Sequence, residues 1–257
     1  MTGKTGSPTL QSRSGQLVDG LARSVISKVS ATPHQRRHRR IEIGVKILYA
    51  AATDNATFDR DQVEADLAAL RISRTDIIDQ CIPHVASALG EDWVTDRLSF
   101  AAVTSAAARL FGLCKSLGQD WDNIRPGTHA RSILLVTLDR EHHILGPAVL
   151  ADQLRRRGHS VQLHSNASAT TIQEKLAHDR FDGILISVST WQALETAAKA
   201  IRKIKDNNKT AFIVLGGAAL NEKEFDVSTT DADMTTNDIN LALDAMSSDK
   251  IELKVAE

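Results

Sequence analysis

The stretch SILLVTLDREHHILG, Ser132 to Gly146, begins with the apolar run SILLVTL, residues 132–138, and continues to a Glu, two adjacent His and a Gly. A short run of this kind, bounded by polar residues, is typical of a strand buried on both faces. Helical patterns separate it from three further runs, VQLH, GILISV and FIVLGG, and ADMTT leads into a last helix near residues 238–246. This alternation predicts an α/β domain with a five-stranded, parallel, doubly wound sheet of the flavodoxin-like type.

The sequence before this domain has apolar residues at helical spacing. Between Ile41 and Leu117, apolar residues recur at helical spacing in four segments, which predicts a four-helix bundle. Ser73 followed by Asp76 resembles a capping box, and Pro83 is expected to bend the helix that begins there. The segment DWDNIRPGTHA has the composition of a linker. We therefore expect a helical bundle cap at 41–119, a linker at 120–130 and the Rossmann-like domain at 131–257.

The composition is that of an ordinary soluble protein, with 42% hydrophobic and 25% charged residues. No apolar run approaches the roughly 20 residues that span a bilayer, and the N-terminus lacks the apolar core of a signal peptide. Only two cysteines occur, Cys81 and Cys114. These features predict a cytoplasmic protein without a membrane partner.

Residues 1–40 are strongly basic. They contain eight Lys and Arg against the single acid Asp19, a charge of +7, although the whole chain has a formal net charge of -1. The segment ends in RRHRR. We expect a disordered basic tail that can contact nucleic acid phosphates or an acidic partner surface.

Unusual residues follow three of the predicted strands. In an open parallel sheet the ligand crevice lies at the carboxyl ends of the strands, so these residues should meet at one edge. A His whose second ring nitrogen is bound by a carboxylate is a good axial ligand for a transition metal, and glycines let a bulky ligand approach the backbone. Serine hydroxyls can bind a buried ring nitrogen. The residues are Glu141, His143 and Gly146, then Ser187 and Ser189, then Gly216 and Gly217.

The pattern resembles the cobalamin-binding domains, which carry Asp-x-His-x-x-Gly, then Ser-x-Leu, then Gly-Gly. The resemblance implies base-off cobalamin with His143 as the lower axial ligand of cobalt and Glu141 as the partner that orients it. Ser187 would bind the benzimidazole, and Gly216 and Gly217 would form the wall of the slot for the nucleotide tail. This chain departs from the pattern in having Glu141 for Asp, which leaves the contact with the imidazole open, and Ser189 for Leu, which makes the wall more polar. The neighbouring His142 is expected to face solvent.

The segment LGEDWVTDRLSFAAVTSAAARL, Leu89 to Leu110, resembles the helical cap that precedes these domains and covers the upper face of the corrin. The resemblance makes Trp93 a candidate cofactor contact, with a core position as the alternative. In light-sensing relatives a Glu-His pair follows this Trp by ten residues, and its His can bind cobalt from above. Here those positions are Val103 and Thr104, so that ligand is absent there.

Over about Ile41 to Asp244 the chain resembles the PpaA/AerR family of photosynthesis-gene antirepressors. The resemblance implies cobalamin binding, a response to light or oxygen, contact with a transcriptional repressor and no enzymatic activity. A mutase is not expected, because no substrate barrel is present in the chain. Two alternatives stay open: a corrinoid methyl-carrier protein of a methyltransferase system, and a heme-binding sensor of the same fold, since His ligates both metals.

Overall fold

A computed structural model describes residues 32–54, 57–118, 130–139, 141–221 and 230–246. The helical part consists of α1 (Pro33–Thr53), α2 (Arg60–Ala69), the short α3 (Arg74–Asp76), a π-helical turn (Ile77–Cys81), α4 (Ile82–Val94) and α5 (Phe100–Leu117). Their apolar faces form one core, as the predicted bundle requires.

Polar side chains define where these helices begin. The hydroxyl of Ser73 accepts a hydrogen bond from the backbone N–H of Asp76 at 3.0 Å, which is the N-cap half of the predicted capping box. The irregularity expected at Pro83 takes the form of the π-helical turn that ends just before it. Proline lacks an N–H and disturbs the preceding turn, which makes a wider turn at this point understandable.

The structure shifts the boundary of the basic tail. Helix α1 begins at Pro33, so residues 33–40, which the sequence analysis assigned to the tail, are helical. Thr32 and Gln35 form a capping box, and Pro33 at the first helical position is preorganised for a helix. These signals were overlooked because the charge run dominated the segment. Residues 1–31, like most of the predicted linker, lie outside the described residues.

The α/β domain has the predicted architecture. Its elements are β1 (Ser132–Leu138), α6 (Leu145–Arg156), β2 (Ser160–Ala167), α7 (Ala169–His178), β3 (Gly183–Ser187), α8 (Trp191–Asn207), β4 (Ile213–Gly216), a 3-10 turn (Ala218–Asn221), β5 (Met234–Thr235) and a helix over 239–246, α9. The strand order is β2-β1-β3-β4-β5, and all pairings are parallel.

Alternate residues of the central strands supply two separate cores. Leu134 and Ile184 belong to the core formed with α7 and α8, whereas Ile133 and Leu185 belong to the core formed with α6 and α9. With both faces covered, the edge at the carboxyl ends of the strands is left for a ligand. The chain order reverses between β1 and β3, and at such a switch point the adjoining loops diverge and open a crevice.

Helix α6 connects the two parts of the molecule. Leu145, Ala148 and Val149 in its first half pack into the helical core. Ala151 and Leu154 in its second half belong to the core beneath the sheet. Because α6 begins two residues after His143, the predicted metal ligand lies next to the element that both cores share.

In the described part of the chain, one helix, α5, is long and apolar enough to cross a membrane. Its buried residues all belong to the core of the helical part. They are Ala106, Leu110, Leu113, Cys114 and Leu117.

Candidate functional site

A carboxylate and an imidazole lie together at the exit of β1. The chain turns sharply after the strand, with the N–H of Glu141 donating to the carbonyl oxygen of Leu138 at 3.0 Å. This turn buries the Glu141 side chain, which is 5% exposed, and leaves the His143 side chain 63% exposed. The distance from His143 Nδ1 to Glu141 Oε1 is 2.7 Å, so the longer Glu side chain does reach the imidazole. His142 is exposed, as predicted.

Both oxygens of Glu141 are engaged. Oε1 accepts a second hydrogen bond, from the backbone N–H of His143 at 3.1 Å, and Oε2 accepts one from the backbone N–H of Ser189 at 2.9 Å. The single carboxylate therefore joins the loop after β1 to the loop after β3. The orientation of the imidazole and the position of the second loop depend on the same side chain.

These contacts set the protonation states of the pair. Burial raises the pKa of the Glu141 carboxyl, but the hydrogen bonds from His143 and Ser189 outweigh it and lower that pKa to about 2. The hydrogen bond to Glu141 raises the pKa of His143, against the opposite effect of burial. An ionised carboxylate can only accept, so Nδ1 of His143 carries the proton. In the neutral imidazole, Nε2 then has its lone pair available for a metal.

Next to this pair, a cavity of about 460 Å³ extends along the carboxyl edge of the sheet. Its floor is apolar and includes Leu135, Leu185 and Val214 from three adjacent strands. Six of the predicted site residues line it, namely His143, Gly146, Ser187, Ser189, Gly216 and Gly217. The loops after β1, β3 and β4 therefore meet at one edge, as the topology predicted.

The glycines of the cavity have different physical roles. A Cβ at Gly146 would meet no atom within 4 Å, so this residue keeps space open. Gly217 has φ +118°, and a Cβ there would lie 2.2 Å from the carbonyl oxygen of Val188. A Cβ at Gly216 would lie 2.9 Å from the carbonyl oxygen of Thr236. The Gly-Gly pair thus shapes the wall through backbone packing, whereas Gly146 leaves room for a ligand.

The sequence analysis missed three polar residues of the cavity lining, Thr236, Asp238 and Asn237. Asn237 contacts Gly217. Its side-chain oxygen accepts a hydrogen bond from the N–H of Gly217 at 2.8 Å, and its amide donates to the carbonyl oxygen of the same glycine at 3.2 Å. The signal was present, because Asn237 follows β5 and so lies at the same edge as the other loops. The strand itself comprises two residues and is weak in the sequence.

Trp93 lies at the end of α4 rather than in the cavity lining. It is 50% exposed and packs against Phe100, with ring centroids 6.5 Å apart and an interplanar angle of 57°. The alternative of a core position is therefore excluded by its exposure. Its contact with a cofactor stays a prediction.

The residues of this site fit a large metal-centred heterocycle with a long substituent. Nε2 of His143 could hold a metal at the rim, and the cavity beside it has an apolar floor. Within the described residues, the hydroxyls of Ser187 and Ser189 have no hydrogen-bond partner, so they are available to a ligand in the cavity. A heterocycle with polar ring atoms on its tail would use all three features.

Comparisons with known proteins identify the class of domain. The family model described as B12 binding domain matches residues 131–240, which contain the cavity and the Glu141–His143 pair. The solved structure of the Methanosarcina barkeri monomethylamine corrinoid protein has the same fold, with a TM-score of 0.56 and 13% identity over 82% of this chain and 96% of that chain.

A relative extends the similarity beyond the domain. The Rhodobacter capsulatus protein described as an uncharacterized 20.5 kDa protein in the bchF-crtJ intergenic region is 32% identical over 169 residues. The matched part covers 65% of this chain and 88% of that protein. The chain therefore contains a B12 binding domain and belongs to the same family as this relative.

Proposed function

We propose that the protein is a cobalamin-binding, light- or redox-responsive antirepressor that acts by contact with a DNA-bound repressor of photosynthesis genes. The family supports the cofactor, and the bchF-crtJ location of the relative, in a photosynthesis gene cluster, supports the pathway. The observation that supports this proposal most directly is the state of the His143 imidazole. Its Nδ1 is held by Glu141, and its Nε2 is available beside the cavity with the apolar floor. In this proposal the chain is a binding module with no catalysis of its own.

We infer that cobalamin binds base-off, with His143 replacing the benzimidazole as the lower ligand of cobalt. When bound, the cofactor supplies a cobalt centre whose upper ligand changes with light or redox state. Glu141 would hold the imidazole in the correct tautomer, and the hydroxyls of Ser187 and Ser189, which line the cavity, would bind polar atoms of the tail. The exposed Trp93–Phe100 pair offers an aromatic surface for the other face of the corrin.

A visible spectrum of the loaded protein tests the cofactor assignment. We expect hydroxocobalamin to bind the purified chain with the spectrum of a His-ligated, base-off corrinoid, and the His143→Ala variant to lose this spectrum. A Soret band after incubation with heme, without corrinoid uptake, would support the heme-binding alternative instead. Unchanged corrinoid uptake and colour in His143→Ala would contradict the ligand assignment.

Association with the repressor tests the regulatory part. The binding affinity of the purified protein for the repressor is measured with and without cobalamin, in light and in darkness. We expect the affinity to change with cofactor and illumination or redox state, because a changed upper ligand favours a different arrangement of the helical part. Identical association in every condition would contradict a sensor.

A corrinoid methyl carrier is the second candidate, because the fold shared with the monomethylamine corrinoid protein spans almost the whole of that chain. This candidate predicts that the reduced corrinoid on the protein accepts a methyl group from a partner methyltransferase. Methyl transfer together with repressor association unaffected by cofactor would favour the carrier.

A further inference from the structure

The first turns of α1 carry positive charge where the helix itself disfavours it. Arg36, Arg37, Arg39 and Arg40 lie near the N-terminus of α1, and the first turn contains no acidic residue. A helix N-terminus is partially positive, so cations close to it are destabilising, and like charges four residues apart, such as Arg36 and Arg40, repel each other. Because these positive charges destabilise the helix that carries them, we infer that they have a function.

Part of this charge is not neutralised inside the described molecule. Arg37 forms an ion pair with Asp76, and the imidazole of His38 lies 3.3 Å from the carboxylate of Glu42. Arg39 is exposed and pairs with none of the residues that the structure describes. Nε of Arg40 is buried and has no acceptor there either. The guanidinium of Arg39 therefore stays available to a partner, and Arg40 adds its charge from a partly buried position.

A groove of about 580 Å³ continues this charged region along α1 toward the π-helical turn and α4. Glu42 is the one carboxylate among its described lining residues. The basic or titratable side chains that line it are His34, Arg37, His38, Lys46 and His84. We call the exposed cations Arg36, Arg39 and Lys46 and the partly buried Arg40, together with this groove, the cationic face of α1.

We propose that the cationic face of α1 binds the phosphate backbone of duplex DNA without reading its sequence. Arginine matches phosphate oxygens bidentately, and several cations along one rigid helix can contact successive phosphates. The charge distribution of the whole chain assists, since residues 1–40 carry +7 and the remainder -8. Such an asymmetry turns this end of the molecule toward a polyanion.

An acidic protein surface is the competing partner, and the composition of the face argues against it. Protein interfaces depend on buried aromatic or apolar anchors, whereas phosphate contacts need only hydrogen-bond donors and charge. Ile43, 39% exposed, is the one large apolar residue of α1 among the exposed ones. The others, such as Trp93, Trp191 and Leu241, lie on different elements.

The affinity of the full chain for a short fluorescent DNA duplex, measured by anisotropy at several salt concentrations, tests this proposal. We expect the variant Arg36→Gln/Arg39→Gln/Arg40→Gln to bind at least about tenfold more weakly at low salt and to lower the slope of log affinity against log salt by about 3. The variant Arg36→Lys/Arg39→Lys/Arg40→Lys should keep most of that slope. The matched control Lys199→Gln/Arg202→Gln/Lys203→Gln removes the same charge from α8 and should keep wild-type binding.

Three results would overturn the proposal: no DNA binding by the wild type, an equal loss in the α8 control, or competition by polyglutamate as effective as by unlabelled duplex. Circular dichroism checks that the triple variant is folded. Should it unfold, the single variant Arg39→Gln at an exposed position must still lower the slope by about 1. Neither corrinoid nor repressor is present, so failure here leaves the proposed function untouched.

Discussion

At the scale of single residues, Glu141 makes two contacts that depend on the length of its side chain. One oxygen holds Nδ1 of His143, and the other holds the backbone of Ser189 on the neighbouring loop. An aspartate at this position would be one methylene shorter and could not keep both contacts at these distances without movement of the backbone. The departure from the family pattern is therefore matched by a contact that the longer side chain makes.

Replacing Glu141 with Gln is expected to lower the pKa of His143 toward its ordinary value of 6.5, because the carboxylate that raises it is gone. Corrinoid affinity should fall ten- to hundredfold, the usual effect of removing the hydrogen-bond partner of a metal-bound His. NMR titration of the His143 ring in the apoprotein and a cobalamin titration measure the two effects. Glu195→Gln, at an exposed carboxylate paired with Lys199, is the control and should change neither.

The same pair sets the pH dependence of cofactor binding. Nε2 can bind a metal only while the imidazole is neutral, so corrinoid affinity should fall as the pH drops through the raised pKa of His143. In Glu141→Gln this loss should begin at a lower pH. Identical pH profiles of corrinoid affinity for the two proteins would contradict the role of the carboxylate.

Gly146 and Gly217 should respond oppositely to the same substitution. Gly146→Ala adds a methyl group in open space within a helix, so the free energy of unfolding should rise by about 0.5–1 kcal/mol while corrinoid affinity falls. Gly217→Ala should lower the free energy of unfolding by about 2 kcal/mol or more, since φ +118° and the Val188 backbone both oppose a Cβ. Urea denaturation and cobalamin titration separate the two. A Gly146→Ala protein with full corrinoid affinity would show that this space is not used.

At the scale of elements, the π-helical turn carries a polar contact between the two parts of the molecule. Arg156, near the end of α6, donates to Asp79 in the turn at 2.5 Å and to Asp152 one turn earlier at 2.7 Å. Gln153 donates to the same oxygen of Asp79 at 3.0 Å. Burial raises the pKa of Asp152, against the opposing effect of Arg156. The guanidinium therefore lies between two carboxylates at the junction.

Replacing Arg156 with Ala is expected to cost about 3 kcal/mol of unfolding free energy, because two partly buried carboxylates then face each other without a cation. Arg202→Ala is a suitable control. It breaks an exposed ion pair with Asp231 and should cost less than about 1 kcal/mol. Urea denaturation measures both values, and equal losses would show that the junction contact contributes no more than a surface pair.

At the scale of the whole molecule, the apolar pattern was sufficient to predict strands β1 to β4, and the topology was sufficient to bring most of the site residues to one edge. β1 was predicted with its observed bounds, because an apolar run between polar residues has few other interpretations. The meeting of His143, Ser187 and Gly216 at one edge followed from the rule that parallel strands share a carboxyl end. The bond from Ser189 to Glu141 was not predictable, because it depends on distances between loops that no local pattern records.

The start of α1 and the role of Asn237 show two different limits. Thr32, Pro33 and Gln35 signalled the start of the helix. The positive charge of the segment nevertheless led to its interpretation as a disordered tail. Asn237 follows a strand of two residues, too short to give a period of its own. Tertiary pairing with β4 defines the bounds of that strand, and no local pattern gives those bounds.

The sharing of α6 between two cores has a consequence for how the chain can be divided. A fragment comprising residues 130–257 would retain the sheet but lose the helical part that packs on Leu145, Ala148 and Val149. These residues would then form an exposed apolar stripe on its surface. We expect such a fragment to self-associate in size-exclusion chromatography and to bind the dye ANS, whereas the intact chain does neither. A monomeric fragment that does not increase the fluorescence of ANS would contradict this expectation and show that the apolar stripe is stable in contact with water.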